Sequence, residues 1–423
     1  MIPRGRNAAS SSTVAYLVQR FPLLTETFVL RELNAVADRM ACPVELFALR
    51  PGRGGALHPM ANRWLPGVQT ASIVRGCFEL LRLTITRPRV VVRVIRDVVC
   101  DYARDSRALM RGLAVVVLAA SFVPTIRRCR VAHIHAHFAT QPAEAAWALA
   151  AFTGVTYSIT AHAYDLFVST RGLDRRTRGA RFVACISDYN RRFLEARIGA
   201  TGAEYPVVHC GVPTKEMRRP AHAPSTESTR LIMVSSFQPK KGHAVLVEAL
   251  RSSPPLRTAR LDLVGEGPLE PTVKSLVLRS GLGHRVTFHG GQAEDAVRRM
   301  IAGSDVLVQP SVLAANGDMD GIPNTLIEAM ALGIPVVTTA VSGIPELVID
   351  GVTGVVVEPG DPEDLAAGLQ RVIEDPEAAR KRAAGGLAKV SAEFDIADSA
   401  AAMASLLERV LERNGSESSR TRC

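Results

Sequence analysis

The sequence predicts an α/β protein built on parallel sheets. Short apolar strand-like runs alternate with helical patterns along most of the 423 residues, and such alternation is typical of β-α-β units. The length suits about two or three domains, and 47% of the residues are hydrophobic, which is enough for sizeable cores. A stretch rich in Pro, Ser and charged residues near residue 220 indicates a linker between two halves.

We therefore expect six segments besides an insertion. They are a disordered start (1–12), a first domain (13–215) with a helical insertion (about 71–130), a linker (216–229), a second domain (230–395), a last helix (396–413) and a disordered tail (414–423).

The chain opens with a predicted strand, Thr13–Val18, followed by a polar loop and a predicted helix, Phe28–Asp38. Thr25 and Glu26 precede this helix, and a Thr cap together with the charge of Glu26, as in a capping box, would stabilise any helix start. On its own, this pattern predicts a capped helix and no more.

Residues 71–130 form a basic, partly apolar stretch with 12 arginines against four acidic residues. Its two apolar runs, Val90–Ile95 and Leu113–Val123, are each shorter than the roughly 20 residues that span a bilayer. Four arginines interspersed with Leu and Val have the pattern of a basic amphipathic helix at a membrane surface: Arg82, Arg89, Arg93 and Arg96. A solvated helical insertion packed on the first domain is the alternative.

Histidines mark two predicted strands of the first domain. Three of them alternate on one side of the predicted strand 131–138: His133, His135 and His137. They could bind a metal, but no cysteine or carboxylate cluster stands near them in sequence, so hydrogen-bonded histidines near a strand end are the simpler interpretation. His162 follows the predicted strand Thr156–Thr160, at a carboxyl end where open α/β sheets bind ligands. A histidine that only hydrogen-bonds a loop carbonyl is the alternative.

The most informative run, Asp318–Val337, places Asp320 and Glu328 on either side of a predicted loop-to-helix junction. The helix is predicted to begin near Pro323 and Asn324, because Pro suits a first turn and Asn can cap. Its predicted apolar face consists of Leu326, Ile327, Met330 and Ala331. The N–H groups at such a helix start attract phosphate, and flanking carboxylates suit hydroxyl-rich groups. The run predicts a nucleotide-sugar site, with an ordinary capped helix as the alternative.

Two glycine-containing turns follow strands earlier in the second half. Lys241 lies in the turn Ser235–His243, and a Lys-Lys-Gly turn taken alone is more often a solvated loop. The strand-like run Leu261–Gly267 ends in a truncated dinucleotide fingerprint without its third Gly, which is a weak signal.

Charge is unevenly distributed. Residues 1–220 carry a net charge of +16 and the remainder −6, for a total of +10. The basic half favours an anionic membrane surface or a phosphate-bearing lipid acceptor as its partner. We expect no nucleic-acid partner, because no binding motif is present and aromatic residues do not interleave with the arginines.

The seven cysteines are scattered and form no Cys-x-x-Cys pair, which indicates reduced thiols. The first twelve residues lack the apolar core of a signal peptide. We expect a cytoplasmic protein, peripheral at the inner face of the cell membrane.

The run Asp320–Glu328 resembles the Glu-x7-Glu signature of the retaining glycosyltransferases of family 4. The opening run Phe21–Phe28 resembles that of glycosyltransferases that build exopolysaccharides of the colanic-acid kind. The resemblance implies the GT-B fold, an α/β architecture of two facing Rossmann-like doubly wound parallel-sheet domains with an inter-domain cleft. It also implies a last helix that crosses back to the first domain.

The resemblance further implies roles for individual residues. Asp320 and His162 would act at the donor hexose as catalytic residues, Lys241 at the diphosphate and Glu328 at the ribose. The remaining donor-binding positions would be Ser236, Gly321, Ile322, Pro323, Asn324 and Thr325, and the acceptor side would include Thr25, Glu26 and His137. The family usually has Glu where this chain has Asp320, and Arg where it has Ser236.

The implied activity is transfer of a hexose, with retention and without a metal or other cofactor, from a UDP- or GDP-sugar to a lipid-linked or oligosaccharide acceptor. Three alternatives remain. Asp318-Met319-Asp320 is also an Asp-x-Asp, the metal-binding motif of the other large glycosyltransferase fold, GT-A. The two departures from the family pattern could mark a nucleotide-sugar-binding scaffold subunit, and a soluble small acceptor would remove the need for a membrane.

Overall fold

The computed structural model describes residues 12–23, 27–52, 58–168, 170–199, 202–219 and 228–420. The chain forms two compact units. The first comprises the described residues up to Cys185, Leu194–Pro206, and those from Ala400 onward, and the second comprises Ile186–Phe193 and Val207–Ser399. The residues just before the predicted boundary at 215 thus group with the second unit. Most of the predicted disordered start and linker lie outside the described residues.

The first unit is built on a six-stranded parallel sheet with strand order β3-β2-β1-β4-β5-β6. Its elements are β1 (Thr13–Phe21), α1 (Thr27–Arg39), β2 (Val44–Pro51), β3 (Gln69–Thr70), α2 (Ile73–Thr86), α3 (Pro88–Tyr102), α4 (Ser106–Ala120), α5 (Val123–Arg128), β4 (Val131–His137), α6 (Gln141–Thr153), β5 (Thr156–Ala161), α7 (Ala163–Phe167), α8 (Leu173–Arg178) and β6 (Val183–Cys185), followed by α9 (Asp188–Ile198).

The second unit is built on another six-stranded parallel sheet, with order β12-β11-β10-β7-β8-β9. Its elements are β7 (Arg230–Val234), α10 (His243–Ser252), β8 (Arg260–Val264), α11 (Glu270–Arg279), β9 (Val286–Phe288), α12 (Glu294–Ala302), β10 (Val306–Gln309), α13 (Asn324–Ala331), β11 (Val336–Thr339), α14 (Ile344–Leu347), β12 (Val355–Val357), α15 (Pro362–Glu374) and α16 (Pro376–Glu393), followed by α17 (Ile396–Arg420).

Each sheet contains one point where the strand order reverses. In the first unit β1 lies between β2 and β4, and in the second β7 lies between β8 and β10. The connections that leave these paired strands run to opposite faces of the sheet, which opens a crevice at the carboxyl edge. The loops after β1 and β4, and after β7 and β10, are therefore the places where each unit can bind a ligand.

The predicted insertion consists of four helices, α2 to α5. Across the described residues, one helical stretch, Ser106–Arg128, is long and apolar enough to cross a membrane, with a mean hydropathy of 1.9. It is divided into α4 and α5, however, and 61% of its most apolar window is buried. Val115, Val116 and Ala119 are at most 2% exposed. This stretch is part of the first unit's core, and it extends beyond the predicted apolar run Leu113–Val123 at both ends. The single amphipathic helix predicted from the arginines is two helices, α2 and α3.

The last helix continues beyond its predicted end at residue 413 and reaches Arg420. Asn414 explains the extension, since its Nδ2 donates to Ala132 O over 3.2 Å and to Thr156 Oγ1 over 2.8 Å. Arg413 also pairs with Glu204 at 3.1 Å. These contacts attach the helix to β4 and β5 of the first unit, and residue 414 is helical rather than the start of a disordered tail.

A glycine brings together the two loops at the switch point of the second unit. Gly242 ends the short 3-10 turn Pro239–Lys241 with φ +74°, a conformation that favours glycine. A Cβ at this position would lie 1.8 Å from the carbonyl oxygen of Pro310, at the start of the loop after β10. Only glycine therefore permits this close approach, which fixes the position of the preceding Lys241.

We expect Gly242→Ala to destabilise the second unit by about 3 kcal/mol, at the upper end of ordinary single substitutions. The matched control is Gly281→Ala, because Gly281 also has positive φ, at +69°, but has open space where a Cβ would go. The control should cost only the left-handed conformation, about 1 kcal/mol.

Differential scanning calorimetry measures both variants. Tryptophan fluorescence identifies the transition of the first unit, since both tryptophans of the chain, Trp64 and Trp147, lie there. Equal losses in the two variants would contradict a steric role for Gly242.

Candidate functional site

Lys241 and Asp320 form an ion pair at the switch point of the second unit. Lys241 Nζ lies 2.7 Å from Asp320 Oδ1, although the two residues are 79 positions apart in sequence. Lys241 follows β7 and Asp320 follows β10, so the strand order alone brings their loops together. The Asp320 side chain is nearly buried, with 4% of the residue exposed. A charge in such a position needs its partner, because desolvation is costly for an unpaired carboxylate.

Ser311 provides the second contact of Asp320. Its hydroxyl donates to Asp320 Oδ2 over 2.6 Å, and Gln309 Nε2 donates to Ser311 Oγ over 3.1 Å. Thr339 Oγ1 donates to the carbonyl oxygen of Ser311 over 2.5 Å. Each of these four residues is at most 4% exposed. The Asp320 carboxylate is thus oriented by a buried polar network, and Ser311 is a site residue that sequence reasoning missed; its only signal was a polar residue at the end of a buried strand.

A second lysine–aspartate pair lies beside the first. Lys240 Nζ donates to Asp318 Oδ1 over 3.0 Å and lies 3.8 Å from Asp320 Oδ1. Each aspartate of the Asp-x-Asp sequence is therefore held by its own lysine. A metal-binding Asp-x-Asp needs its carboxylates free to converge on a cation. This arrangement, together with the two parallel sheets, does not fit the GT-A alternative.

The helix after this loop begins as predicted but is capped differently. Pro323 occupies the N-cap position and Asn324 is the first helical residue, and no side chain caps the helix. Asn324 Oδ1 is buried without a hydrogen bond among the described residues, so Asn324 does not cap. The first N–H groups of a helix have no partner within it. The backbone N–H groups of Asn324 and Thr325 therefore remain available to an anion.

The other predicted donor-binding residues surround this helix start. Gly321 lies in the loop and is partly exposed, Ile322 is buried, and Glu328 is half-buried on the second turn of α13. The predicted apolar face is confirmed, because all four of its residues are at most 1% exposed: Leu326, Ile327, Met330 and Ala331. Packing against the core thus fixes which side of α13 carries Glu328.

Ser236 lies in the loop after β7 and is exposed; none of the described residues hydrogen-bonds to its hydroxyl. The truncated glycine fingerprint after β8 supports this loop. A Cβ at Gly265 would lie 2.1 Å from Ser235 O, and one at Gly267 would lie 2.7 Å from Phe237 N. These two glycines permit close packing of the two loops, which gives the fingerprint a structural role at this edge of the sheet.

A chain of buried polar groups ends at His162 in the first unit. His162 Nε2 lies 3.4 Å from His137 Nδ1, and His137 Nε2 lies 2.9 Å from Glu32 Oε1. The hydroxyl of Tyr16 donates to the same carboxylate oxygen over 3.4 Å. Burial by itself would raise the pKa of Glu32, but the neighbouring His137 outweighs it, and the pKa is lowered. Glu32 is therefore ionised at neutral pH and orients His137.

Burial, with a smaller electrostatic contribution from the neighbouring His137, holds the pKa of His162 well below its ordinary value. His162 is therefore neutral at physiological pH and can donate or accept a hydrogen bond, but it does not supply a positive charge. Asp165 Oδ2 accepts from the His162 N–H over 3.0 Å and from Ala139 N–H over 2.8 Å, which positions the histidine backbone. Burial raises the pKa of Asp165 to about 6.

The prediction of hydrogen-bonded histidines is confirmed for His133 and His135. The ring nitrogens of His133 contact Thr156 Oγ1 at 2.7 Å and Ser158 Oγ at 2.8 Å. Those of His135 contact Ser158 Oγ at 2.8 Å and Thr160 Oγ1 at 2.9 Å. Burial lowers the pKa of both histidines to about 3. Polar residues of β5 thus satisfy the histidines of β4.

One cluster of potential metal ligands does occur in the described part of the chain. Possible ligand atoms of Glu32, His135 and His137 lie within 4.8 Å of one another. No local pattern pointed to Glu32, which is 105 positions from His137. Both ring nitrogens of His135 are already hydrogen-bonded, so a cation there would have to displace one of these bonds. Of the predicted acceptor-side residues, His137 belongs to this cluster, while Thr25 and Glu26 lie outside the described residues.

Comparison with known proteins identifies the family. Residues 214–386 match the family model of the glycosyl transferases group 1. WcaL of Escherichia coli (strain K12), named for colanic acid biosynthesis, is 30% identical over 377 residues, which cover 84% of this chain and 89% of WcaL. The amylovoran biosynthesis glycosyltransferase AmsK of Erwinia amylovora is 30% identical over 214 residues, or 50% of this chain and 53% of AmsK.

Solved structures agree with the fold. HepE of Anabaena, crystallised with UDP and glucose, superimposes with a TM-score of 0.70 at 19% identity, covering 94% of this chain and 100% of HepE. Sucrose-phosphate synthase of Thermosynechococcus elongatus gives a TM-score of 0.71 at 20% identity, with 95% and 100% covered. At these identities the likeness concerns the fold alone, and it confirms GT-B. On the sequence match to WcaL and the family model of the second unit, the chain belongs to the glycosyl transferases group 1 and is a glycosyltransferase.

Proposed function

We propose that the chain transfers a hexose from a nucleotide-diphosphate sugar to a growing glycan in the synthesis of a cell-surface polysaccharide. The observation that carries the proposal is the Lys241–Asp320 pair beside the uncapped start of α13. The names of WcaL and AmsK support the polysaccharide, and the UDP complex of HepE supports a nucleotide donor. A GDP-mannose-dependent mannosyltransferase of Mycobacterium tuberculosis, 31% identical over 51% of this chain, makes GDP the other candidate.

The chemistry of this site suits a diphosphate leaving group. Negative charge develops on the diphosphate as the sugar departs, and a nearby ammonium group with pre-oriented N–H groups stabilises that charge. Lys241 supplies the ammonium group, and the N–H groups of Asn324 and Thr325 supply the hydrogen-bond donors. The exposed hydroxyl of Ser236 is a further donor in place of the arginine that is usual in the family, and Glu328 is assigned to the ribose.

Asp320 has two functions in this proposal. Both of its oxygens already accept hydrogen bonds, from Lys241 and Ser311, so it orients the lysine before a donor binds. A carboxylate oxygen has more than one lone pair, and Asp320 can accept a further hydrogen bond from a hexose hydroxyl. We assign His162 to the reaction as the second catalytic residue, in the neutral form that its burial requires.

Retention of anomeric configuration and independence from a metal complete the proposal. No pair of residues in this site has the roles of the two carboxylates of a glycosidase, since Asp320 is paired with a lysine. The leaving phosphate then deprotonates the acceptor hydroxyl, and Lys241 supplies the positive charge that a cation would otherwise provide.

We expect Lys241→Met to weaken binding of UDP or GDP by about 10- to 100-fold, since a hydrogen bond to a charged group contributes about 1.5–3 kcal/mol. This variant leaves the nearly buried Asp320 with only the more distant Lys240 ammonium group, 3.8 Å away, so its stability falls as well. The double variant Lys241→Met with Asp320→Asn removes the whole pair, which restores stability but not binding. Lys389→Met, which breaks the pair of Lys389 with the half-exposed Glu393, is the control without effect on binding.

Isothermal titration calorimetry with UDP-, GDP- and ADP-sugars measures these affinities and identifies the donor. Parental affinity in the double variant would contradict the assignment of Lys241. Transfer of radiolabelled sugar to a membrane extract then separates an enzyme from a scaffold, which would bind nucleotide without transferring. The same reaction in excess EDTA tests metal independence, and NMR of the product's anomeric proton tests retention.

We further propose that the first unit binds an anionic membrane surface through α2 and α3. Val74, Phe78, Leu81 and Ile85 follow one face of α2 at helical spacing and are each at least 61% exposed. Val92 on α3 is 64% exposed, and Arg89 and Arg93 nearby have no ion pair among the described residues. Exposed apolar stripes flanked by arginines bind anionic lipids. The chain would then be cytoplasmic and peripheral, and its acceptor lipid-linked.

Replacing the four apolar residues of the α2 face with Gln should reduce binding to phosphatidylglycerol-containing vesicles at least tenfold. Each such side chain contributes about 1.5 kcal/mol or more when it leaves water, and about 1.4 kcal/mol is a tenfold change. Cosedimentation measures the effect. Leu278→Gln is the control, because Leu278 is 71% exposed but lies in the second unit. Parental binding by the quadruple variant would contradict this surface and favour a soluble acceptor.

A further inference from the structure

Phe138 has a backbone conformation that is ordinarily left to glycine. It follows β4 directly, at the carboxyl edge of the first sheet, and its φ is +76°. A bulky side chain makes this left-handed conformation costly. Strain of this kind persists only where the surrounding structure holds it in place, and it occurs most often at functional sites. We therefore asked what holds Phe138 and what its side chain contacts.

Two consecutive backbone N–H groups hold the strained segment. The N–H of Phe138 donates to the carbonyl oxygen of Thr160 over 3.0 Å, and the N–H of Ala139 donates to Asp165 Oδ2 over 2.8 Å. Thr160 belongs to β5 and Asp165 to α7, which follows β5. Both acceptors thus come from the neighbouring strand and the helix after it, so the chain cannot relax at Phe138 without losing one of these bonds.

The same oxygen of Asp165 also holds the backbone of His162. Oδ2 accepts from the N–H of His162 over 3.0 Å besides that of Ala139. Asp165 is 1% exposed, so water does not compete for these bonds. Burial raises its pKa to about 6, and the two N–H groups with the nearby Arg176 oppose this rise, so the carboxylate is ionised at neutral pH. One oxygen therefore fixes the loop after β4 relative to the loop after β5.

The strained conformation places the ring of Phe138 against His162. Their ring centroids are 4.5 Å apart, with 37° between the planes. Phe28, at the start of α1, lies 5.1 Å from His162 and meets Phe138 edge to face at 6.3 Å. The ring of His137 stacks on His162 at 5.6 Å. Three aromatic rings thus surround the imidazole, and 8% of His162 is exposed.

This packing supplies an orientation that hydrogen bonding alone does not. The contact between His162 Nε2 and His137 Nδ1 is 3.4 Å long, and a hydrogen bond of this length constrains a ring weakly. Close packing against the face of Phe138 limits the rotation of the imidazole. A catalytic group acts efficiently only when it is held in the productive geometry in advance.

We propose that Asp165 and Phe138 are positioning residues for the transfer reaction: Asp165 fixes the two loops, and Phe138, held in its strained conformation, orients the ring of His162. This inference rests on the proposed function, in which His162 acts at the donor hexose. Asp165 acts through His162, because its carboxylate is buried behind the backbone that it holds. Without this acceptor, Phe138 relaxes to an ordinary backbone conformation and its ring moves away from the imidazole.

Asp165→Ala removes the acceptor, whereas Asp165→Asn keeps it, because a carbonyl oxygen has two lone pairs for the two N–H groups. The amide nitrogen of Asn takes the place of Oδ1, which makes no hydrogen bond among the described residues. We expect kcat to fall about 10- to 100-fold in Asp165→Ala, since misplacing a catalytic group by about 1 Å costs on the order of 100-fold. Asp165→Asn should restore the parental kcat.

The matched control is Asp361→Ala. One oxygen of Asp361 also accepts from two backbone N–H groups, at 2.9 and 3.0 Å, but it caps α15 in the second unit. This variant loses the same number of bonds and should keep the parental kcat. Initial rates of transfer of radiolabelled sugar to the membrane extract, at saturating donor, give kcat. Calorimetry should show unchanged affinity for UDP or GDP in all variants, because the nucleotide contacts are assigned to the second unit.

His162→Ala and the double variant His162→Ala with Asp165→Ala decide whether Asp165 acts through His162. A positioning residue contributes nothing once the group that it positions is gone, so the double variant should have the kcat of His162→Ala. Losses that multiply would show a structural role independent of His162 and would overturn the proposal. Parental kcat in His162→Ala would overturn it together with the assignment of His162.

Parental kcat in folded Asp165→Ala, or an Asp165→Asn variant as slow as Asp165→Ala, would also overturn the proposal while leaving the proposed function intact. Tryptophan fluorescence shows whether the first unit is folded. If Asp165→Ala is unfolded, Phe138→Leu takes its place, with a lower kcat and the same dependence on His162 expected. Absence of nucleotide binding in the parent would instead reject the proposed function, so the two failures are distinguishable.

Discussion

The ion pair between Lys241 and Asp320 is the interaction on which the second unit's site depends. It joins the loop after β7 to the loop after β10, two strands that are neighbours only because the strand order reverses between them. Gly242 makes the close approach possible, and Ser311 holds the other carboxylate oxygen. Without the pair, the nearly buried carboxylate of Asp320 would lose its nearest cation, and the Lys241 ammonium group would lose its carboxylate, at the carboxyl edge of the sheet. Nothing would then hold the two loops in a fixed position relative to the start of α13.

The same principle governs the first unit, with different residues. Glu32 orients His137, which in turn contacts His162, and Glu144 compensates Arg175 and Arg176. In both units a buried carboxylate pairs with the groups that lie at the carboxyl edge of the sheet. Buried charges are tolerated because they are paired and hydrogen-bonded, and pairing also restricts the side chains to one orientation. Pre-orientation of this kind is what stabilisation of a developing charge requires.

Much of this architecture was predictable from local patterns. The apolar face of α13, the strand that carries three histidines and the helix start after Asp320 follow from periodicity and helix-boundary signals, and the structure confirms them. The errors came from places where local signals compete. Asn324 suits a cap by residue type, but Pro323 takes the N-cap position and leaves the amide inside the helix. The apolar run in α4 resembled a short burst because its continuation into α5 is interrupted by a turn.

The sequence by itself determined that this chain is a parallel α/β protein, and it predicted that Asp320 and Glu328, with Lys241 through the family resemblance, belong to a phosphate-linked site. These conclusions depend on short-range spacing, which the printed sequence contains. Only the tertiary structure decided that Lys241 is paired with Asp320, that Ser311 and Glu32 support the two candidate catalytic residues, and that Asp165 joins the loop after β4 to the loop after β5. Those contacts join residues that are distant along the chain, 79 positions apart for Lys241 and Asp320 and 105 for Glu32 and His137. They exist because strand order, rather than sequence order, determines which loops are neighbours.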